Sequence, residues 1–443
     1  MAVLETYLIY MLYALLGALI SVGLSFIPSL HAYNVVGFAV VAYLPFMDTV
    51  DPMIPVMLMI GITVGYATLS TISFNYLTIA DDSIIFYVLP TSKYLMQGRA
   101  HEATVLSGIG ALIGMAYVVL VIPLCAPVFV ILRNVLSPFM FLIIGFVICF
   151  YILSEWPKDF GVGKTPLQRL WDGWSTLLPG LFTFFISSIF GMIIFYKTFV
   201  PLNAAFQSIM PAIVGLFAVP SLVINLISKM NIPKQHIAKS VDASWEQILR
   251  GSGAGLLGGA FASFVPAVTA GPASLMAGHF TAQRSDRMFI ISGGACRFVY
   301  YVGAVALFFL PGLNKSKGGL AIMINLFFVP ETTEQFYITI AAIAITGFVS
   351  FFLLLLVSRG VIKLLEVVNY KYISLVALVL IFIIVAAMTG WQGTLILIVG
   401  GLIGMIPALF HARRGNCLAV ILTPIMLNMA GVGPTVAGWM GLL

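Results

Sequence analysis

Apolar runs of about 20 residues, the length that carries a helix across the hydrocarbon core of a bilayer, recur along almost the whole chain. From Gln335 to Ser358, for example, no side chain carries a formal charge. In lipid every backbone N–H and C=O must find its partner inside the protein, which leaves helices or a closed barrel. Barrel strands alternate apolar and polar side chains, and these runs do not. The expectation is an all-α, polytopic membrane protein. Composition agrees, with 61% hydrophobic and 8% charged residues, against about 25% charged in soluble domains.

Charge then sets the orientation. Basic loops at 155–172, 229–250, 284–287, 359–371 and 411–414 belong on the cytoplasmic face, and loops carrying only acids, at Asp48 and Asp51 and at Glu331 and Glu334, on the outer face. Ten crossings follow, near 55–80, 103–132, 136–154, 175–197, 204–228, 288–311, 337–358, 372–390, 394–410 and 415–433. Glu5 stands where a signal peptide would be basic, so the first segment is read as part of the mature protein. The net charge of +6 is spread over loops rather than gathered into an arm, which argues against nucleic acid as a partner.

Two segments do not fit as plain spans. LSFIPSLHAYN at 24–34 has a near copy, ASFVPAVTAGP, at 262–272. Gly17 and Gly255 stand equally far before Pro28 and Pro266, and Ser25 and Ser263 each stand three before the proline. The loop after the first copy carries Asp48 and Asp51; the loop after the second carries Arg284 and Arg287. Equivalent loops of opposite charge lie on opposite faces. The expectation is an inverted-topology repeat, residues 1–228 and 229–443, with about five crossings and one proline-broken hairpin per half. In the second hairpin, 251–266 and 268–283 are read as equal arms, either re-entrant or spanning.

Proline ends one helix and favours a new start. A helix start presents free N–H groups suited to an anion. The candidate substrate residues are therefore Ser25, Pro28, Ser29, His31 and Asn34 at the first tip, and Ser263, Pro266, Thr269 and Ser274 at the second. The rival reading has Ser and Thr bonding back to their own helices around a kink. His31 fits a ligand donor, a proton carrier or a water-facing group. Asp81, Asp82 and Asn75, with Thr78 and Ser83 nearby, are candidates for a coupling ion; otherwise the two acids lie in a wet loop beside Lys93 and Arg99. Arg297 lies deep in a span and calls for an anionic substrate or a structural carboxylate partner. Glycine-rich stretches such as GSGAGLLGGAFAS read as close helix packing. GVGKT at 161–165 has the wrong spacing for a phosphate loop. The four cysteines lack metal-ligand spacing, and no nucleophile with a base and orienter is evident, so neither a cofactor nor an enzyme is expected.

With these motifs in hand, IPSLHAYNVVGF, ADDSIIFYVLPTSKYLMQGRAHEATVLSGIGALIG and GGAFASFVPAVTAGPASLMAG resemble, in order, blocks of the large membrane subunit of tripartite tricarboxylate transporters. ISGGACRFVYYVGAVALFFLPGLNKSKGGLA is similar to the archaeal branch. The resemblance implies a secondary transporter of an organic anion in the cell membrane, driven by Na+ or H+, with an extracytoplasmic binding protein and a small membrane subunit as partners. It also implies Pro-Gly at each tip, where this chain has Pro28-Ser29 and Pro266-Ala267. Two alternatives keep the architecture: a transporter of a polyprenyl-phosphate lipid carrier, and a non-transporting scaffold. Membrane lipids surround each of them, and a homodimer is compatible with all three.

Overall fold

The computed structural model describes residues 2–26, 32–79, 81–83, 85–86, 88–155, 165–200, 208–228, 232–313 and 317–443. The first helices are α1 (Ala2–Leu24), α2 (Ala32–Tyr43), α3 (Met53–Leu69), α4 (Thr71–Leu77), α5 (Val88–Met96) and α6 (Ala100–Ala116). They are followed by α7 (Ile122–Leu124), α8 (Ala126–Leu136), α9 (Met140–Leu153), α10 (Pro166–Tyr196) and α11 (Met210–Ile227). The later helices are α12 (Trp245–Phe264), α13 (Ala270–Phe280), α14 (Asp286–Phe298), α15 (Ala304–Phe309), α16 (Gly319–Ile324), α17 (Thr333–Val367), α18 (Tyr370–Leu409), α19 (Ala419–Met429) and α20 (Gly433–Trp439). Among the described residues nine helical stretches are long and apolar enough to cross a membrane, and a pair bent by 115°, Arg414–Met429 with Gly433–Trp439, makes a tenth. The protein is an all-α, multi-pass membrane protein.

Boundaries shifted where the chain stays apolar through a break. The run expected at 103–132 divides at Cys125, giving stretches Ala100–Leu124 and Ala126–Leu153. Hydropathy is blind to that break, whereas Pro123 and Pro127 each remove a backbone donor beside it. The pair expected at 372–390 and 394–410 is α18, interrupted at Gly390 (φ 69°, ψ −167°), a backbone region open to glycine alone. Its contacts run in two directions along α11. Tyr370 meets Asn225 near the end of α11 (3.0 Å), Gly393 lies against Pro211 at its start, and Gly404 lies against Leu216 and Pro220. The chain therefore reverses at Gly390.

The segments containing the repeated motif have unequal arms. Helix α12 has 20 residues and α13 has 11, roughly 30 Å and 16 Å at 1.5 Å per residue. A capping box, Ser244 with Gln247, starts α12 six residues before the arm expected from hydropathy. Helices α12 and α14 run parallel, because Gly251 faces Met288, Gly255 faces Ser292 and Gly259 faces Cys296. Between them the chain has thus come back toward the face from which α12 began. Helices α1 and α3 show the same relation: Gly17 faces Leu58 and Ile62, Gly61 faces Ala14, and Gly65 faces Ser21.

These crossings are backbone-to-backbone. A methyl at Gly255 would overlap the Ser292 carbonyl oxygen, whereas one at Gly253 meets nothing within 4 Å. Around them α14 packs on α6, and α17 packs on both α3 and α6. Overpacking of this kind costs about 1–3 kcal/mol. Gly255→Ala is expected to lower the melting temperature of the purified protein, and Gly253→Ala to leave it unchanged or raise it; equal melting curves would contradict the crossing.

Candidate functional site

Helical backbone is interrupted at three places here, two of which meet the last turn of α14. The first is the end of α4, where Thr78 adopts a left-handed conformation (φ 51°). The freed Leu77 carbonyl accepts from Asn225 Nδ2 (3.1 Å) and from the Tyr370 hydroxyl, and Thr78 Oγ1 pairs with the same hydroxyl at 2.9 Å. Side chains from α11 and α18 thereby supply what water would supply at a surface.

The second is the stretch between α4 and α5, which holds Asp81, Asp82 and Ser83, all buried. Asp81 Oδ1 accepts from the Ser83 amide (2.8 Å) and the Ser83 hydroxyl (2.6 Å), and Oδ2 from the Tyr66 hydroxyl at 3.4 Å. The third is the second tip. Thr269 Oγ1 donates to the Asp82 carbonyl (2.9 Å), and Cys296 Sγ donates to the Ala270 carbonyl (3.4 Å). Gly271 also faces the Asp82 carbonyl so closely that a Cβ there would lie 2.8 Å from it. The start of α13 is therefore docked on the acidic stretch.

Arg297 joins the acidic stretch to the junction of α3 and α4. It is 2% exposed, and its guanidinium sits over the rings of Phe74 (4.4 Å), Tyr66 (5.2 Å) and Tyr301 (5.5 Å). A π-helical turn, Val299–Gly303, carries Tyr301. Nε donates to Ser83 Oγ at 3.2 Å and Nη2 donates to Ser70 Oγ. Nη1 has no hydrogen-bond partner among the described residues. A relay results: Arg297 donates to Ser83, and Ser83 donates to Asp81. The sequence offered a carboxylate partner or an anionic substrate for Arg297, and the structure interposes a serine between it and the acid. A cavity of about 20 Å³ lies beside it, lined in part by Thr71, Asn75, Thr91 and Ser107; that is room for one water.

The acids are not in a wet loop. Lys93 pairs instead with Asp286 (3.1 Å) and Arg99 with Glu102 (2.8 Å). Asn75 donates to Thr104 Oγ1 on α6 at 3.0 Å and lines the small cavity, so it faces Arg297. Ser25 and Ser263 return their hydroxyls to their own helices, at Val22 (2.7 Å) and Ala260 (2.9 Å). The Ser25 carbonyl accepts from Ser73 Oγ of α4 at 2.6 Å. Ser274 is buried with its hydroxyl unpartnered among the described residues. Pro266 lies partly buried between α12 and α13. Pro28, Ser29 and His31 lie outside the described residues; Asn34 belongs to α2, but its side chain is not described. Sequence reasoning missed Ser70, Tyr66, Asn225 and Tyr370, whose signal is contact across distant helices. Tyr301, four residues beyond Arg297 on a helix, was within reach of periodicity.

Residues 11–419 match the sequence model of the Tripartite tricarboxylate transporter TctA family. The chain belongs to that family. An uncharacterized protein of Methanocaldococcus jannaschii is 24% identical over 429 residues, covering 94% of this chain and 98% of the relative. No solved structure matches. As a TctA-family protein the chain is a membrane component of a transport system, and the family comprises transporter components rather than enzymes.

Where the family resemblance implies Pro-Gly, Ala267 follows Pro266, yet its backbone keeps a left-handed conformation (φ 61°). The tip thus takes a glycine-type turn without a glycine. An L-residue there carries about 1–2 kcal/mol of strain, of which glycine returns a part after its own entropic cost of roughly 0.5–1 kcal/mol. Ala267→Gly is expected to raise the melting temperature and Ala267→Val to lower it; the reverse order would show that the turn is unstrained.

Proposed function

We propose that this TctA-family protein is a cation-coupled secondary transporter of an organic anion of the carboxylate type, held between Arg297, the start of α13 and the residues of the two tips. One observation carries the reading: a buried guanidinium that, among the described residues, reaches a carboxylate only through Ser83 and has one amine unpartnered. A buried amine without an acceptor costs about 1–3 kcal/mol unless an acceptor such as a carboxylate comes to it. The start of α13 adds the positive end of a helix dipole on the other side of Asp82.

We propose further that residues 1–228 and 229–443 are inverted-topology repeats and that the substrate is exchanged by rocking one half on the other. The parallel pairs α1 with α3 and α12 with α14, each locked at a glycine equally far before the tip proline, support this. A one-water cavity beside Arg297 is too small for a carboxylate substrate, which fits a closed state that must open to load. Asp81 and Asp82 supply the coupling site. Family membership supports an extracytoplasmic binding protein and a small membrane subunit as partners.

A second reading, transport of a polyprenyl-phosphate carrier, draws on an apolar groove of about 460 Å³ lined by Leu142, Ile143 and Phe146 of α9 and by Leu257, Phe261 and Met276 of the second hairpin. Uptake into proteoliposomes separates the two. Radiolabelled citrate and smaller carboxylates are expected to accumulate under an imposed cation gradient. Arg297→Gln should reduce that uptake about 100-fold, matching roughly 3 kcal/mol for a lost charge-assisted contact. Wild-type rates in Arg297→Gln, or flux of a lipid phosphate but of no carboxylate, would overturn the carboxylate reading.

A further inference from the structure

Two carboxyl groups and one guanidinium share one buried cluster, and the two acids are treated very differently. Asp81 accepts three hydrogen bonds through its two oxygens. Asp82, 4% exposed, has an Oδ1 with no hydrogen-bond partner among the described residues. Its carbonyl is held by Thr269, so the backbone at Asp82 is tied to the second tip. The charged and titratable groups acting on Asp82 are Asp81 and Arg297, and it acts in turn on the hydroxyls of Tyr66, Tyr301 and Tyr151. These groups lie on α3, α9, α14 and the π-helical turn, while α13 meets Asp82 through the uncharged Thr269 and Gly271. With both acids ionised, two negative charges would face one positive charge.

An ionised carboxylate oxygen buried without a donor costs several kcal/mol, whereas a neutral acid hydroxyl without an acceptor costs about 1–3 kcal/mol. The cluster therefore needs one more positive charge, and its location is the bare oxygen of Asp82. A hard metal cation takes about six oxygen ligands, but here Asp81 is already committed to Ser83 and Tyr66, and Ser83 to Asp81 and Arg297. Arg297 would also repel a metal ion brought this close. A proton needs a single oxygen.

We infer that Asp82 is the proton-binding residue of this transporter, protonated in the closed state, while Asp81 is held toward Arg297 by its hydrogen bonds from Ser83 and Tyr66. This rests on the transport reading for its role in coupling. A proton taken from water on one face adds to the Asp82 carboxylate, and the same proton leaves to water on the other face once the site reopens. Binding is ordered by electrostatics: an anion arriving at Arg297 before the proton would face two carboxylates against one cation.

The test needs no substrate, so its outcome is independent of whether any carboxylate is transported. Infrared spectra of the purified protein in lipid nanodiscs at neutral pH are expected to show the C=O stretch of a protonated carboxyl. Asp82→Asn should abolish it, and Arg297→Gln should increase it, since the remaining pair of acids then lacks any cation. Asp82→Asn closely matches the size and neutrality of the protonated acid, and its melting curve reports whether the fold survives. Exchanging choline chloride for sodium chloride at fixed pH should leave the band unchanged. A band that persists in Asp82→Asn, its absence from the wild-type protein, or its loss on adding sodium would each overturn the inference.

Discussion

A peptide group left unpaired in lipid is the constraint on which this structure turns. Wherever the helical ladder stops inside the bundle, some side chain from another part of the chain must complete it. Leu77 is completed by Asn225 and Tyr370, and Asp82 by Thr269. These partners lie far away in sequence, so each break ties distant helices together. Interruption and tertiary cross-linking are the same event here.

That coupling explains why the polar chemistry gathers where it does. Within the stretch from Ser70 to Ser83, Ser73 is bound to the Ser25 carbonyl at the end of α1, and Asp82 is bound to Thr269 at the start of α13. Arg297 reaches into the same stretch through Ser70 and Ser83. Thr269, Asp82, Ser83, Asp81 and Arg297 are thus joined by hydrogen bonds and one chain segment. In a low-dielectric interior such a linked set of charges has few acceptable states.

Glycine has two separate roles. At Gly255 and Gly61 the absent side chain lets helix backbones touch, so that the tips are carried on rigid parallel pairs. At Gly390 the need is conformational, a reversal that only glycine enters. Ala267 shows the contrast, since it holds a left-handed turn without glycine at a point where the chain reverses between α12 and α13.

The all-helical membrane class was legible in the sequence because burial in lipid is decided segment by segment, by length and apolarity. Most spans and the deep placement of Arg297 could be read for the same reason: each depends on spacing along one helix. The break at Cys125, the unequal arms of the second hairpin and the burial of Asp81 and Asp82 could not. An apolar run looks the same whether it is continuous or divided, and DDS flanked by apolar residues reads equally as loop or core. Only the folded chain, by bringing Tyr370, Asn225, Thr269 and Arg297 to these breaks, decided which polar groups lost their water, because desolvation is fixed by neighbours in space and not by neighbours in sequence.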